Sequence, residues 1–470
     1  MGLSFHKTVS ICIQWLIENA TGPEEIKGLT ERISIRKYSL EFVNNQFSSH
    51  VIQAIVEASL KVLSRECTLE AFEQRHYKWS LNYILDVAEF LIVHIDQILN
   101  DLNGFHVAST VMEALAGIRV GRLHKNRKAM GFGQKTNINT EIEKDIVIKD
   151  LPSPLKSKLK KLAKAIVDRD DGELREMING KATSIIQYLL FILKLRSAEL
   201  CQQLVKKMID LIFCNQEDKV SVISNANCAY LVETLILVSN EHRLKRIWEK
   251  HFKGSLRAMW SHDVANFIVQ RLLDSLTSEE LYRDVSFEIL PHLASIFLLN
   301  RPGIGVCLAK ATLRFTHFQQ EFIYAIMKAF YCLEPKEKQI QLVPLMLFSD
   351  NTIITPTPNP NSLKEDKHSA QIWLHGSLML QYMFQYKETY RLWKSLLSID
   401  TRELVGVIND ASGSHAIDAF LKSPTVPDKA KEQFVDKLGG YFVDLACNKY
   451  GSRVIGERSL LFLPAASPEA

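Results

Sequence analysis

Ala265-Asn266-Phe267-Ile268-Val269-Gln270-Arg271-Leu272-Leu273-Asp274 is the stretch on which the reading of this chain turns. Asn266 and Gln270 stand four residues apart, so on a helix both amides project from one face. Ile268, Val269, Leu272 and Leu273 form a stripe suited to burial against a neighbouring helix, and Phe267 lies beside the amides. Amides can hydrogen-bond a base edge while a ring stacks on its π-face. In a single copy this layout describes most surface helices, so its meaning depends on repetition.

The layout recurs on both sides of that stretch. Upstream it is found in Ser48-Ser49-His50-Val51-Ile52-Gln53, in residues 182–187 and in Cys228-Ala229-Tyr230-Leu231-Val232-Glu233. Residues 104–109 keep the ring and the stripe but place a bulky Phe105 and a serine where the small residue and the amide stood. Downstream, residues 303–308 have lost every polar candidate, whereas 376–381, 413–418 and 451–456 keep the apolar positions. Start to start, 228 to 265 is 37 residues, 265 to 303 is 38, 376 to 413 is 37 and 413 to 451 is 38, while 303 to 376 is 73, close to two units. A period in the range of roughly 20–50 residues marks a solenoid. Residues 252–267 align without gaps on 438–453, setting Gly254 against Gly440, Leu256 against Phe442 and Met259 against Leu445. Each unit is therefore expected to be a few short helices that close a core only by stacking on the next unit.

Composition agrees with an all-α chain: 470 residues, 47% hydrophobic and 23% charged, with only 20 glycines and 14 prolines. The net charge of +4 permits a nucleic-acid partner without demanding one. Eight cysteines are scattered singly, with no CxxC pair or Cys/His cluster, so reduced thiols and no metal site are expected. The first ten residues lack a signal-peptide pattern. The longest apolar runs, such as 342–348, fall far short of the ~20 residues of a membrane span, so a soluble chain is expected. There is no phosphate-binding glycine loop, metal-ligand helix or nucleophile motif, and adjacent His262 and Asp263 diverge on a helix. Neither catalysis nor a cofactor is expected.

In chain order, Val9, Ile13, Leu16 and Ile17 predict a helix over 5–18, closed by Thr21-Gly22-Pro23. The expected divisions are N-terminal repeats at 1–118, a basic flexible insertion at 119–154 with Arg122, His124, Lys125, Arg127 and Lys128, and middle repeats at 155–348. A Pro/Asn-rich loop at 349–368 and C-terminal repeats at 369–470 complete them. Lys156, Lys158, Lys160, Lys161 and Lys164 make a basic helical face, a pattern usual for a solvated surface.

With its period near 37 and the order Gly/Ala–small–ring–Val–Ile–Gln in 48–53, 265–270 and 451–456, the repeat resembles the Pumilio repeat. That resemblance implies a curved α-solenoid, an open arc or horseshoe, in which one helix of each repeat presents three residues to one RNA base. The first and fifth would bind the base edge and the second would stack between bases. Carried over, Asn266 and Gln270 are edge readers with Phe267 as stacker, similar to a uracil-reading set. Ser49, His50 and Gln53 resemble an adenine-type set, and Ala229, Tyr230 and Glu233 lean toward guanine. His106 is a candidate stacker. Ser414 with His415, and Ser452 with Arg453, keep the first two positions but depart at the fifth, Asp418 or Gly456.

Divergent, unevenly spaced repeats make the chain more similar to the nucleolar protein nine family than to uniform eight-repeat regulators. Residues 228–235, 261–274 and 411–421 carry this resemblance, which spans nearly the whole chain. It implies a monomeric nucleolar RNA-binding protein of small-subunit ribosome biogenesis and rRNA processing. Such a protein would bind single-stranded precursor ribosomal RNA, shield a processing site and meet assembly factors. The competing reading is a HEAT- or armadillo-like scaffold for peptides or assembly factors, which needs no alternation of edge reader and ring.

Overall fold

A computed structural model describes residues 6–20, 28, 39–64, 71–99, 101–118, 146–180, 182–214, 223–348 and 372–456. The described secondary structure is helical, apart from one isolated bridge between Ile118 and Ile146. The backbone divides into two compact units, 1–243 and 244–470.

Unit one is strung on five spine helices: α1 (Lys7–Glu18), α2 (Ser48–Leu63), α3 (Leu102–Leu115), α4 (Thr183–Arg196) and α5 (Ala226–Val238). Each packs on the next in chain order. Flanking helices close the other side of the stack: Ala71–Val93 lies on α2 and α3, Ser153–Val167 on Ala71–Val93 and α3, and Ala198–Ile212 on α4 and α5. Unit two repeats the plan with α6 (Asn266–Ser275), α7 (Gly303–Arg314), α8 (Leu374–Met383), α9 (Gly413–Lys422) and α10 (Lys449–Gly456), again in series. Its flanking helices include Leu256–Ser261 on α6, Gln319–Ala329 on α7, Thr401–Ile408 on α9 and Phe442–Cys447 on α10.

The predicted stripe is the reason the spine stacks. Ile268, Val269, Leu272 and Leu273 are all fully buried, and removing such side chains from water drives repeat-on-repeat packing at about 25 cal/mol per Å² of apolar surface. Polar tyrosines stitch adjacent repeats within the core of unit two. Tyr282 Oη pairs with Thr312 Oγ1 at 2.5 Å, and Tyr386 Oη donates to the Ala309 carbonyl at 2.9 Å. Arginines close helix ends. Arg314 donates to the Leu273 and Asp274 carbonyls at the end of α6 (3.0 and 3.1 Å), and Arg196 donates to the Ala116 carbonyl just after α3 (2.7 Å). Both cations lie where orphan carbonyls and the helix dipole favour positive charge.

The gapless alignment of 252–267 on 438–453 is reproduced in three dimensions. Leu256–Ser261 and Phe442–Cys447 are both six-residue helices. The glycines before them sit in the left-handed region, Gly254 at φ 77° and Gly440 at φ 89°, which only a residue without a Cβ adopts freely.

Two expectations need adjustment, and two segments lie outside the described residues. The opening helix forms, but Leu16 is exposed and burial falls on Ser10 and Ile17, because α2 covers only one side of α1. Most of the expected basic insertion, 119–145, and the loop residues 349–371 lie outside the described residues. The helix after the insertion begins at Ser153, inside the expected 119–154 boundary, with Pro152 at the position before its first turn.

Candidate nucleic-acid interface

Each repeat must turn sharply from its flanking helix into its spine helix, and the same device recurs at that corner. Four residues before the first candidate position, a side chain accepts from the backbone N–H groups two and three residues on. Asn45 Oδ1 takes Phe47 and Ser48 (2.9 and 3.2 Å), Asn225 takes Asn227 and Cys228 (2.8 and 3.4 Å), and Asp410 takes Ser412 and Gly413 (2.7 and 2.8 Å). Asp101 and Asn448 do likewise, and at α6 His262 Nδ1 takes their place, accepting from Val264 and Ala265 (3.1 and 3.3 Å). Short side chains that imitate a backbone turn suit such corners. The repeat reading missed them although they stand at a constant offset.

At α6 the two amides do share one face, but they do not stand open beside the ring. Asn266 and Gln270 are each 3% exposed, whereas Phe267 is 37% exposed. Gln270 Nε2 donates to Asn266 Oδ1 at 2.9 Å, and Asn266 Nδ2 is held by the carbonyls of His262 (3.1 Å) and Asp263 (2.6 Å). Gln270 Oε1 is buried without a hydrogen-bond partner. The cause is Gly303 at the start of α7, which lies so close that a Cβ there would come within 2.3 Å of Gln270 Oε1. The amide pair is thus lidded by the next repeat and only the ring faces out.

The other copies follow the same division. Ser49 is buried with Oγ unpaired, Gln53 is half-buried with Nε2 on the Ser49 carbonyl (3.3 Å), and His50 is exposed. Ala229 and Glu233 are buried, while Tyr230 is 56% exposed. At α3, Phe105 fills the first position with its ring against His106 (5.4 Å between centroids) and Tyr188 of α4 (6.0 Å), which leaves His106 half-buried. α8 pairs Gln381 Nε2 with Ser377 Oγ at 3.2 Å, a first–fifth contact like that of α6, and Ser377 Oγ donates to the Ser412 carbonyl at 2.6 Å. α1 carries the same offsets as Ser10, Ile11 and Gln14, with Ser10 buried and Ile11 exposed. The ring-based reading passed over it because Ile11 is aliphatic.

On α7 the burial of Cys307, Leu308, Ala311 and Thr312 matches Ile268, Val269, Leu272 and Leu273. The residue equivalent to Asn266 is therefore Gly305 and not Ile304. An extra residue in the preceding turn, where Asn300 takes φ 58°, shifts the register by one. In either register the copy carries no polar side chain at the first, second or fifth position.

The two C-terminal sets, expected to act separately, are brought together. Arg453, at the second position of α10, reaches back over α9: Nη2 donates to Ser414 Oγ (2.8 Å), approaches His415 Nδ1 (3.4 Å) and pairs with Asp418 (3.1 Å). Ser414 is buried under this arm, and Ser452 stays exposed. Among the described residues no group of His, Cys, Asp or Glu is placed to hold a metal ion, and no helix is long and apolar enough to cross a membrane.

A stack of short-helix repeats with a lidded polar pair and an outward second residue on its spine defines a helical-repeat protein of the Pumilio type. The chain matches the NOP9-like PUF repeat domain over residues 2–458, and it belongs to that family. It is 25% identical over 373 residues to Nucleolar protein 9 of Homo sapiens, covering 76% of this chain and 58% of that protein. Pumilio homolog 23 of Arabidopsis thaliana is 25% identical over 226 residues, covering 48% of this chain and 29% of that one. The chain thus spans well under two thirds of these relatives' lengths. Its fold superposes on the solved APUM23–GGAAUUGACGG structure with a TM-score of 0.73 and 18% identity, covering 97% of this chain and 82% of the other.

Proposed function

We propose that this chain binds single-stranded RNA along its spine helices, with His50, Tyr230, Phe267 and His415 as stacking residues. Ser49, Gln53, Ala229, Glu233, Asn266, Gln270 and Ser414 lie beneath them as the groups that select the base. The observation that carries this reading is the repeated outward second residue above a buried first position. A ring that stacks on the face of a base, beside groups that hydrogen-bond its edge, is how single-stranded bases are held. His106, Ser452 and Arg453 complete the track at its weaker copies. The family and the APUM23 fold, solved with the uracil-containing sequence GGAAUUGACGG, support RNA over a peptide groove.

The relatives named Nucleolar protein 9 support a nucleolar role. In this reading the RNA is precursor ribosomal RNA on the small-subunit side, and binding shields a processing site while assembly factors act. The chain works as a monomer without a catalytic centre of its own, and divides into three sets of repeats around the segments 119–152 and 349–368, the middle set opening at Ser153.

The test is equilibrium binding to single-stranded RNA, its duplex and the matching DNA. Base–aromatic stacking contributes about 1–3 kcal/mol per base, so Phe267→Ala should weaken single-strand binding by roughly 5- to 150-fold. Equal binding by wild type and a His50/Tyr230/Phe267/His415→Ala variant refutes the reading, and a peptide scaffold takes its place.

A further inference from the structure

The flanking helix Ser153–Val167 is built unlike the others. It carries five lysines and no acidic residue in 15 positions, a local charge larger than the +4 of the entire chain. Of the described flanking helices of unit two, Tyr390–Leu397 is also free of acidic residues but carries only Arg391 and Lys394, whereas Glu279–Ile289 sets Glu279, Glu280, Asp284 and Glu288 beside Arg283. Asp428–Lys437 alternates Asp428, Glu432 and Asp436 with lysines.

Burial fixes how this helix is rotated. Leu155, Leu159, Leu162, Ala163 and Ile166 are all in the core, so the lysine face cannot turn inward. Lys158 and Lys161 both pair with the one carboxylate of Glu89, at 2.8 and 2.6 Å. Lys156, Lys160 and Lys164 are exposed and have no acidic partner among the described residues. They stand at i, i+4 and i+8, in a single row with about 6 Å of rise between neighbours. Like charges at that spacing repel and destabilise the helix, and no acidic side chain among the described residues pairs with them.

We propose that Lys156, Lys160 and Lys164 form a second contact track, for the phosphodiester backbone of RNA, on an element separate from the spine helices. The proposal rests on the RNA-binding reading above, because an RNA already held on the spine makes a second contact effectively intramolecular. A row of point charges without rings or amides contacts phosphates and carries no base preference. Serine hydroxyls at Ser153 and Ser157, both exposed, add donors along the row. A lipid surface does not suit this helix, because its apolar face is already buried and cannot enter a bilayer.

The test measures RNA affinity of the full chain between about 50 and 200 mM salt, using single-stranded RNAs of increasing length. Each single-strand phosphate contributes about 0.7 to the slope of log K against log salt. Lys156→Ala/Lys160→Ala/Lys164→Ala should therefore flatten the slope by about 2, making the salt-induced loss of affinity about twentyfold smaller than in wild type. Base preference stays unchanged, and the matching triple arginine variant keeps the slope. Alanine favours helix, so the variant is expected to fold, with circular dichroism as the check. Phe267→Ala provides the contrast: it lowers affinity at every salt with the slope intact, so failure of base stacking is read separately from failure of the lysine track. A wild-type slope in the triple alanine variant overturns the track, and loss of polyglutamate binding by that same variant then assigns the row to an acidic protein partner instead. Absence of any RNA binding by wild type removes both readings together.

Discussion

Gln270→Met separates a structural amide from a reading one. In the structure Gln270 makes one hydrogen bond, Nε2 to Asn266 Oδ1 at 2.9 Å, and its Oε1 is buried without a partner beneath Gly303. Methionine is unbranched and of similar length, so it fits the same lidded space. It removes the donor to Asn266 Oδ1, and a buried polar group left unsatisfied costs about 1–3 kcal/mol. It also removes the stranded Oε1, recovering a term of the same size. The two nearly cancel, so stability should change by no more than about 1 kcal/mol in chemical denaturation. RNA binding has no such compensation. A base reaches this amide only by lifting the start of α7 off it; where it does so, loss of one base-edge hydrogen bond is worth about 0.5–1.5 kcal/mol, or roughly two- to tenfold in affinity, and the loss should vanish when the facing base is replaced by an abasic site. Asn266→Ala provides the control, since it strands the Gln270 amide and should lower stability by about 1–3 kcal/mol. A Gln270→Met protein destabilised by more than about 3 kcal/mol, yet binding RNA as wild type does, would show that Gln270 is a packing residue and refute the reasoning.

Gly303→Ala should push Gln270 away from Asn266, because the new Cβ would lie 2.3 Å from Oε1; the readout is altered base selectivity with the stacking contribution intact. Gly254→Ala and Gly440→Ala, at φ 77° and 89° with nothing within 4 Å of the added carbon, should each cost about 1–2 kcal/mol of stability through backbone strain alone. Gly406→Ala, inside Thr401–Ile408 and equally unobstructed, should act in the opposite sense, stabilising by about 0.4–1 kcal/mol in the same melt. Burial lowers the pKa of His375 below its usual 6.5. The unfolded chain therefore binds the proton more readily, and this contribution, full above pH 6.5, is lost as pH falls through the folded value. His375→Gln should flatten that part of the stability–pH curve.

The period near 37, the buried stripe and the equivalence of Gly254 with Gly440 were all legible in the residues, because each is a local property repeated along the chain. Hydrophobic spacing fixes which helix face is buried whatever the partner, and the glycine offset requires only that two copies turn the same way. The same reasoning located the outward rings at His50, Tyr230 and Phe267. It did not find the corner residues Asn45, Asn225, His262 and Asp410, whose identities differ while their task is shared, since a carboxylate, an amide and an imidazole nitrogen can all accept the same two N–H groups.

What one repeat's sequence could not decide is what the next repeat lays over it. Asn266 and Gln270 look like displayed amides until Gly303 is placed against them. Arg453 looks like an independent stacker until its arm is seen across Ser414, His415 and Asp418. The α7 register hinges on one extra residue in a turn. Periodicity determined the solenoid, because burying an apolar stripe is a property of each helix alone. Accessibility of the polar positions was settled only by tertiary packing, because it depends on the size and reach of side chains about forty residues further along the chain.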